Sequence, residues 1–351
     1  MISMLEDEKY MARCLQLAAL GRGHVSPNPM VGAVIVCDGK IIGEGYHRKC
    51  GEAHAEVNAI RSVKEEALLR KSTIYVSLEP CSHWGKTPPC SKLIIEKGIP
   101  RVVVGIQDPF FEVAGRGIRM MREAGVEVTV GVLEKECLAL NKAFFTVQQK
   151  KRPYVILKWA QSADGFMDRL RPEGSEEKPA QISNEINSIL VHKLRAESDA
   201  ILVGTNTALL DNPKLTVRKW DGSDPIRVLL DRRLRVPHSM ALLDGSVPTW
   251  IFTEKEKESD FNENYITIPF DASFPANMLQ EMAAREVQTL LVEGGAQTLS
   301  LFLSSGYWDE ARVETGEVIL NRGVAAPVIP EGIRSWQILG SSLVLHYANE
   351  Q

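Results

Sequence analysis

An α/β fold in two domains is what this sequence predicts, and three observations predict it. The 351 residues exceed one ordinary domain, and at about 150 residues per domain they suggest two. Apolar strand-like runs alternate with helical periodicities in both halves, the pattern of layered α/β structure. Between the halves, Lys150-Lys151-Arg152-Pro153 combines charge with a helix-stopping proline, so a first domain over residues 1–148 and a second over 153–351 are expected.

Residues 8–20 carry Met11, Leu15, Ala18 and Ala19 at helical spacing that runs out at Gly21 and Gly23. Residues 31–36 are continuously apolar and read as a buried strand; Asp38-Gly39 is a hairpin signal, and residues 40–46 return. A helix over 52–63 should present His54 and Glu56 in its first turn. A strand over 72–78 delivers Cys81, and a helix over 91–97 begins at Cys90. Strand 101–106, helix 117–124, strand 126–130 and a helix ending near Gln148 complete the first half. In the second half, residues 154–159 read as a strand and 169–178, rich in charge, Pro and Gly, as a mobile loop. A helix over 184–196 takes Ser183 as its cap. Strands are expected at 199–204, 226–231, 249–253, 265–268 and 289–292, the last running through Glu293-Gly294-Gly295-Ala296 into a helix.

The chemistry-bearing stretch is His54-Ala55-Glu56, answered by Pro80-Cys81 and Cys90. One imidazole and two thiolates make a three-ligand zinc site with a position left for water, whereas a structural zinc site normally closes with four protein ligands. Glu56, two residues after His54, is placed to move protons without binding the metal, the division of labour of zinc deaminases. Composition narrows the partners. A net charge of −4 offers no basic stripe for nucleic acid, and six cysteines in so long a chain are not a disulfide framework. Cys14, Cys37, Cys50 and Cys137 are expected as reduced packing residues. The acidic start and the lack of any apolar run near ~18 residues predict a cytoplasmic protein with no membrane partner.

Asn28-Pro29-Met30-Val31-Gly32-Ala33, Gly43-Glu44-Gly45-Tyr46-His47, His54-Ala55-Glu56-Val57 and Glu79-Pro80-Cys81-Ser82-His83-Trp84-Gly85-Lys86-Thr87-Pro88-Pro89-Cys90 resemble the bifunctional pyrimidine deaminase/reductases of riboflavin biosynthesis. The resemblance implies a cytidine-deaminase-like three-layer domain, with Asn28, His47, His83 and Lys86 lining the substrate pocket and Asp108 as a further candidate. Where that family commonly has Asp-Pro-Asn-Pro, this chain reads Asp108-Pro109-Phe110-Phe111. Leu157-Lys158-x-Ala160, Ser162-x-Asp164-Gly165, Leu194-Arg195-Ala196, residues 199–204, Asp211-x-Pro213-x-Leu215 and Glu293-Gly294-Gly295 are similar to the reductase half, which implies a dihydrofolate-reductase-like domain using NADPH. By the same resemblance Ala160, Thr207, Asp211, Glu293, Gly294, Gly295, Ala296 and Gln297 border the cofactor, and Arg195, Leu215, Arg218 and Glu293 face a ribose phosphate. Gln181-Ile182-Ser183 replaces the family's Trp-Ile-Thr, and the tail after Trp308 fits the family poorly.

Two chemistries are therefore expected: zinc-dependent deamination of a phosphorylated diaminopyrimidine, then NADPH reduction of its ribosyl chain to ribityl, carried out by a homo-oligomer. The rival reading keeps the deaminase and makes the second half a noncatalytic binding or assembly module. A deaminase acting on transfer RNA is disfavoured by the acidic balance.

Overall fold

The computed structural model describes residues 4–84, 88–109, 114–172, 175, 177–260, 262–329 and 332–349. Two compact units result, Met1–Lys151 and Arg152–Gln351. Lys86, Phe110 and Phe111 lie outside the described residues.

In the first unit α1 (Met4–Ala19) precedes the hairpin β1 (Gly32–Cys37) and β2 (Lys40–Tyr46), followed by α2 (Ala55–Ser62), β3 (Thr73–Leu78), α3 (Cys90–Glu96), β4 (Arg101–Ile106), α4 (Arg116–Glu123), β5 (Glu127–Val130), α5 (Glu134–Leu140) and α6 (Lys142–Lys150). The sheet runs β2-β1-β3-β4-β5. Asp38 and Gly39 both take positive φ, as the two-residue turn between β1 and β2 requires. β1 is buried on both faces because helices cover both: Ala33 and Ile35 pack with Ala55, Ala59, Ile94 and Met121, while Val34 and Val36 pack with Met11, Cys14, Cys137 and Phe145. These are the three expected layers. The glycines of Gly43-Glu44-Gly45 let α2 lie against β2, since a Cβ on Gly45 would stand 2.3 Å from the Ala59 nitrogen.

The second unit contains β6 (Tyr154–Gln161), β7 (Phe166–Asp168), α7 (Glu185–Ala196), β8 (Ala200–Gly204), α8 (Thr205–Asp211), β9 (Ile226–Leu230), β10 (Thr249–Thr253), β11 (Glu263–Thr267), α9 (Phe274–Ala284), β12 (Thr289–Val292), α10 (Ala296–Ser305), β13 (Glu310–Thr315), β14 (Val324–Ala325), β15 (Ile333–Leu339) and β16 (Ser342–Ala348). Its nine-stranded sheet runs β11-β10-β9-β8-β12-β6-β13-β16-β15. Between β8 and β12 the chain departs in opposite directions, to β9 on one side and β13 on the other, which makes their C-terminal ends the switch point where open α/β sheets take ligands.

Three expectations need correction. The helix expected from residue 52 begins at Ala55, and His54 is its extended N-cap residue. The cap of α7 is Asn184, whose side chain accepts from the Asn187 amide at 2.9 Å; Ser183 instead donates to Glu314 at 2.7 Å. The tail after Trp308 is part of the main sheet, because β13 pairs in parallel with β6 and β16 lies against β13.

Candidate functional site

At the C-terminal end of β3 the chain turns through Cys81, α2 starts beside it and α3 opens on Cys90. The Ser91 hydroxyl and amide both donate to the Cys81 carbonyl, at 2.9 and 3.2 Å, and the Cys90 amide donates to the Cys81 sulfur at 3.3 Å. Held this way, Cys81 Sγ and Cys90 Sγ stand 3.6 and 3.4 Å from His54 Nδ1. The three ligand atoms lie within 4.8 Å of one another. A tetrahedral zinc with Zn–S of about 2.3 Å and Zn–N of about 2.0 Å separates sulfur from nitrogen by about 3.5 Å. The donor set fits that ion.

The electrostatics of these groups follow from their crowding. The Cys81 thiol is held down to about 4, first by its hydrogen bond with Cys90, while the same bond pushes Cys90 up. The hydrogen bond with Cys81 raises His54 to about 9. Burial pushes the Glu56 carboxyl, only 3% exposed, up to about 7, where a group can both take and return a proton near neutrality.

Asn28, His47, His54, Glu56, Cys81, His83 and Asp108 line one cavity of about 220 Å³. Asn28, His54, Cys81 and His83 also border a larger cleft of about 850 Å³. Burial lowers the His47 pKa. A neutral ring there donates from Nδ1 to the Ala53 carbonyl at 3.2 Å and accepts at Nε2 from the Asn28 amide, also at 3.2 Å. Cys50 is not the packing residue expected: it is exposed, and its sulfur accepts from Asn28 at 3.7 Å.

Two buried side chains beside this cavity escaped the sequence reading. Asn141 pairs with both backbone groups of Met30, accepting from its amide at 2.8 Å and donating to its carbonyl at 2.9 Å, which anchors the loop carrying Asn28. Glu79 accepts from backbone amides on the segment carrying Asp108. Asn141 offered no signal in the sequence and Glu79 appeared only within a motif, since each acts on a backbone distant along the chain.

In the second unit, Arg195 and Glu293 form a two-pronged ion pair at 2.9 and 2.6 Å. Burial pushes the Glu293 carboxyl up, but the charge and hydrogen bonds of Arg195, helped by Lys158 and His192, hold it below its ordinary value. Arg195 also donates to the Thr216 carbonyl, and the Arg218 guanidinium donates to the Thr216 hydroxyl at 2.7 Å. The Arg218 amide donates to Nδ1 of His192. Leu215 has a left-handed backbone and a side chain packed in the core. Lys158, quoted above only within a motif, is the cation that burial lowers here, against the pull of Glu293 and Glu314.

Gly204 ends β8 and Gly295 stands three residues past β12; they are the N-cap residues of α8 and α10, and neither helix has a side-chain cap. The space beside each glycine is taken by a threonine hydroxyl, and a Cβ on Gly204 would sit 2.6 Å from that of Thr298. Gly294, Ala296 and Gln297 belong to the same turn and helix start, and a Cβ on Gly295 would sit 2.9 Å from the Thr207 hydroxyl. Ala160 lies on β6, paired across the ladder with Glu314. Asp211 is engaged by Arg171, which also bonds Asp168 and the carbonyls of Glu177 and Leu210. The loop expected to be mobile is thus anchored at Arg171, whose side chain is 2% exposed. Gln181, in place of the family's Trp, is exposed and donates to the Ser183 carbonyl.

Comparison with known proteins agrees with this division. Residues 4–106 match the family model of the cytidine and deoxycytidylate deaminase zinc-binding region, and residues 153–341 match that of the RibD C-terminal domain, so the tail expected to fit poorly is largely inside the match. The riboflavin biosynthesis protein RibD of Aquifex aeolicus is 42% identical over 94% of this chain and 91% of its own. The RibD protein of Escherichia coli is 36% identical over 87% and 86%. A crystal structure of a diaminohydroxyphosphoribosylaminopyrimidine deaminase/5-amino-6-(5-phosphoribosylamino)uracil reductase from Thermotoga maritima superposes with a TM-score of 0.88, at 35% identity and 99% coverage of both chains. RibD of Acinetobacter baumannii, at 31% identity, gives the same TM-score over 99% of this chain and 100% of its own.

Proposed function

The chain belongs to the RibD family of bifunctional deaminase/reductases of riboflavin biosynthesis, and from that premise we propose how its residues divide the two reactions. Residues 1–148 carry the deaminase and 153–351 the reductase. His54, Cys81 and Cys90 hold zinc, which when bound supplies a Lewis acid that makes water nucleophilic near neutral pH. Glu56 takes a proton from the attacking water and passes it to a ring nitrogen of the diaminopyrimidinone, then takes the proton of the newly added hydroxyl and gives it to the amino group, which leaves as ammonia as the carbon–oxygen double bond forms. Asn28, His47, His83, Lys86 and Asp108 orient the ring, and the larger cleft leaves room for the ribosyl phosphate.

In the reductase, Ala160, Thr207, Asp211, Gly294, Gly295, Ala296 and Gln297 border NADPH, which supplies hydride to the ribosyl chain. Arg195, Arg218, Leu215 and Glu293 meet the sugar phosphate, where a planar guanidinium donates in pairs. The observation that carries the deaminase assignment is the zinc-sized spacing of three ligand atoms beside a buried carboxyl. The test is to incubate the purified protein with the diamino substrate, with and without NADPH, and identify the products by mass. Exchange of an amino for an oxo group without NADPH, and further reduction only with it, is expected. Absence of the first product removes the deaminase reading, and absence of the second revives the noncatalytic alternative for residues 153–351.

The remaining partner readings rest on surface features. A homo-oligomer is supported by the edge strand β15, where Trp336 and Ile338 are 66% and 68% exposed, since an apolar sheet edge normally finds cover. The net charge of −4 supports a partner set without nucleic acid. Among the described residues no helix is long and apolar enough to cross a membrane, and a cytoplasmic location belongs to the same reading.

A further inference from the structure

Glu79 follows β3 directly, two residues before the ligand Cys81, lines the small cavity, and spends its carboxylate on backbone amides. It is buried, at 7% exposure. One carboxylate oxygen accepts from the amides of Asp108, at 3.2 Å, and Gly115, at 3.0 Å. The other accepts from Gly117, at 3.0 Å, and Ile118, at 3.3 Å, in the first turn of α4. Amides at a helix start are favourable partners for a carboxylate, and charge-assisted bonds are the stronger kind. The approach is close: a Cβ on Gly117 would lie 2.1 Å from the Pro80 carbonyl. The segment that leaves β4, contributes Asp108 to the cavity and returns at α4 is therefore tied at both ends to one side chain. That side chain shares its turn with a metal ligand.

We propose that Glu79 is a positioning residue for deamination, setting the Asp108 wall of the substrate cavity against the Cys81 turn. The inference rests on the deaminase reading above and on Asp108 as a pocket residue. A glutamine cannot replace it, because its amide group would confront one of the two pairs of N–H donors with donors of its own. Misplacing a substrate-orienting group by about 1 Å can cost up to about a hundredfold.

The test uses the full-length, zinc-loaded protein and the diamino substrate. Glu79→Gln should raise the deaminase KM by about tenfold or more with a smaller change in kcat. Zinc should remain bound, and reduction of the already deaminated substrate should be unchanged. Because the effect runs through Asp108, Glu79→Gln/Asp108→Ala should have the KM of Asp108→Ala alone, within about twofold. Should Glu79→Gln prove insoluble, Glu79→Asp carries the same readout: it keeps the charge but is one methylene too short to reach both amide pairs, and its KM should fall between those of wild type and Asp108→Ala. Effects on KM that multiply in the double variant, or loss of zinc, overturn the proposal. So does a lowered Tm with wild-type KM in an active protein. A wild-type protein that does not deaminate overturns the deaminase assignment itself.

Discussion

In the first unit His54, Cys81 and Cys90 turn their ligand atoms toward one another across 3.4 to 3.6 Å, whereas in the second Arg195 and Glu293 are engaged with each other and Asp211 with Arg171. The two sulfurs and the imidazole are all potential metal donors, and hydrogen bonds among them bring them to the spacing a zinc ion would take. The candidate reductase carboxylates are already paired with arginines, and among the described residues the Arg218 guanidinium donates to the neighbouring Thr216. One candidate site gathers donor atoms of a kind that bind metal, the other gathers ion pairs. Removing a residue should therefore act mainly on binding and chemistry in the first and partly on stability in the second.

The largest effect is expected from Cys81→Ser or Cys90→Ser. Either should lose zinc and deamination together while sparing reduction of the deaminated substrate; metal analysis beside both assays decides it, and tightly bound zinc in both variants would remove the ligand set. Glu56→Gln should slow deamination by about 10²- to 10⁴-fold with zinc retained, because the carboxyl moves protons without ligating. Loss of metal in that variant would place Glu56 among the ligands.

Arg218→Ala should lower the reductase kcat/KM by roughly ten- to a hundredfold, the equivalent of a charge-assisted contact of about 1.5 to 3 kcal/mol. Deamination should be untouched, and an equal loss in both reactions would break the contrast between the units. The smallest effect concerns acid. Arg195 holds Glu293 below its ordinary pKa, so the stability it contributes is complete above the unfolded value of about 4.3 and disappears as pH falls through the lower folded value. The Tm difference between wild type and Glu293→Gln should be widest near neutrality and close below about pH 4.3. A gap that stays constant with pH would show that the pair is not linked to folding.

Much of this was legible because the signals are local. Asp38-Gly39 fixes its own turn, the apolar run of β1 reports burial on both faces, and Glu56 stands two residues from His54 in the sequence itself. What was missed acts at a distance. Asn141 holds Met30, Glu79 holds the start of α4, and β13 reaches the sheet only by lying beside β6. The local pattern of the tail, with Trp336 and Ile338 facing outward, obscured its membership of the main sheet. The start of α2 was misjudged by a few residues because His54 belongs to the cap, where side-chain identity weakly predicts the backbone.

The grip of Asn141 on Met30 bears on where the deaminase can be cut. The zinc-binding region shared across deaminases stops at residue 106, and a fragment ending there would retain every metal ligand. It would forfeit the anchor of the Asn28 loop, the Phe144 wall of the cavity and two of the helices that cover one face of the sheet, α5 and α6, leaving α1 there alone among them. Any portable piece meant to carry the reaction, in a fusion or a transplant, must run through α6. Homology marks out the metal cradle; the working module is longer.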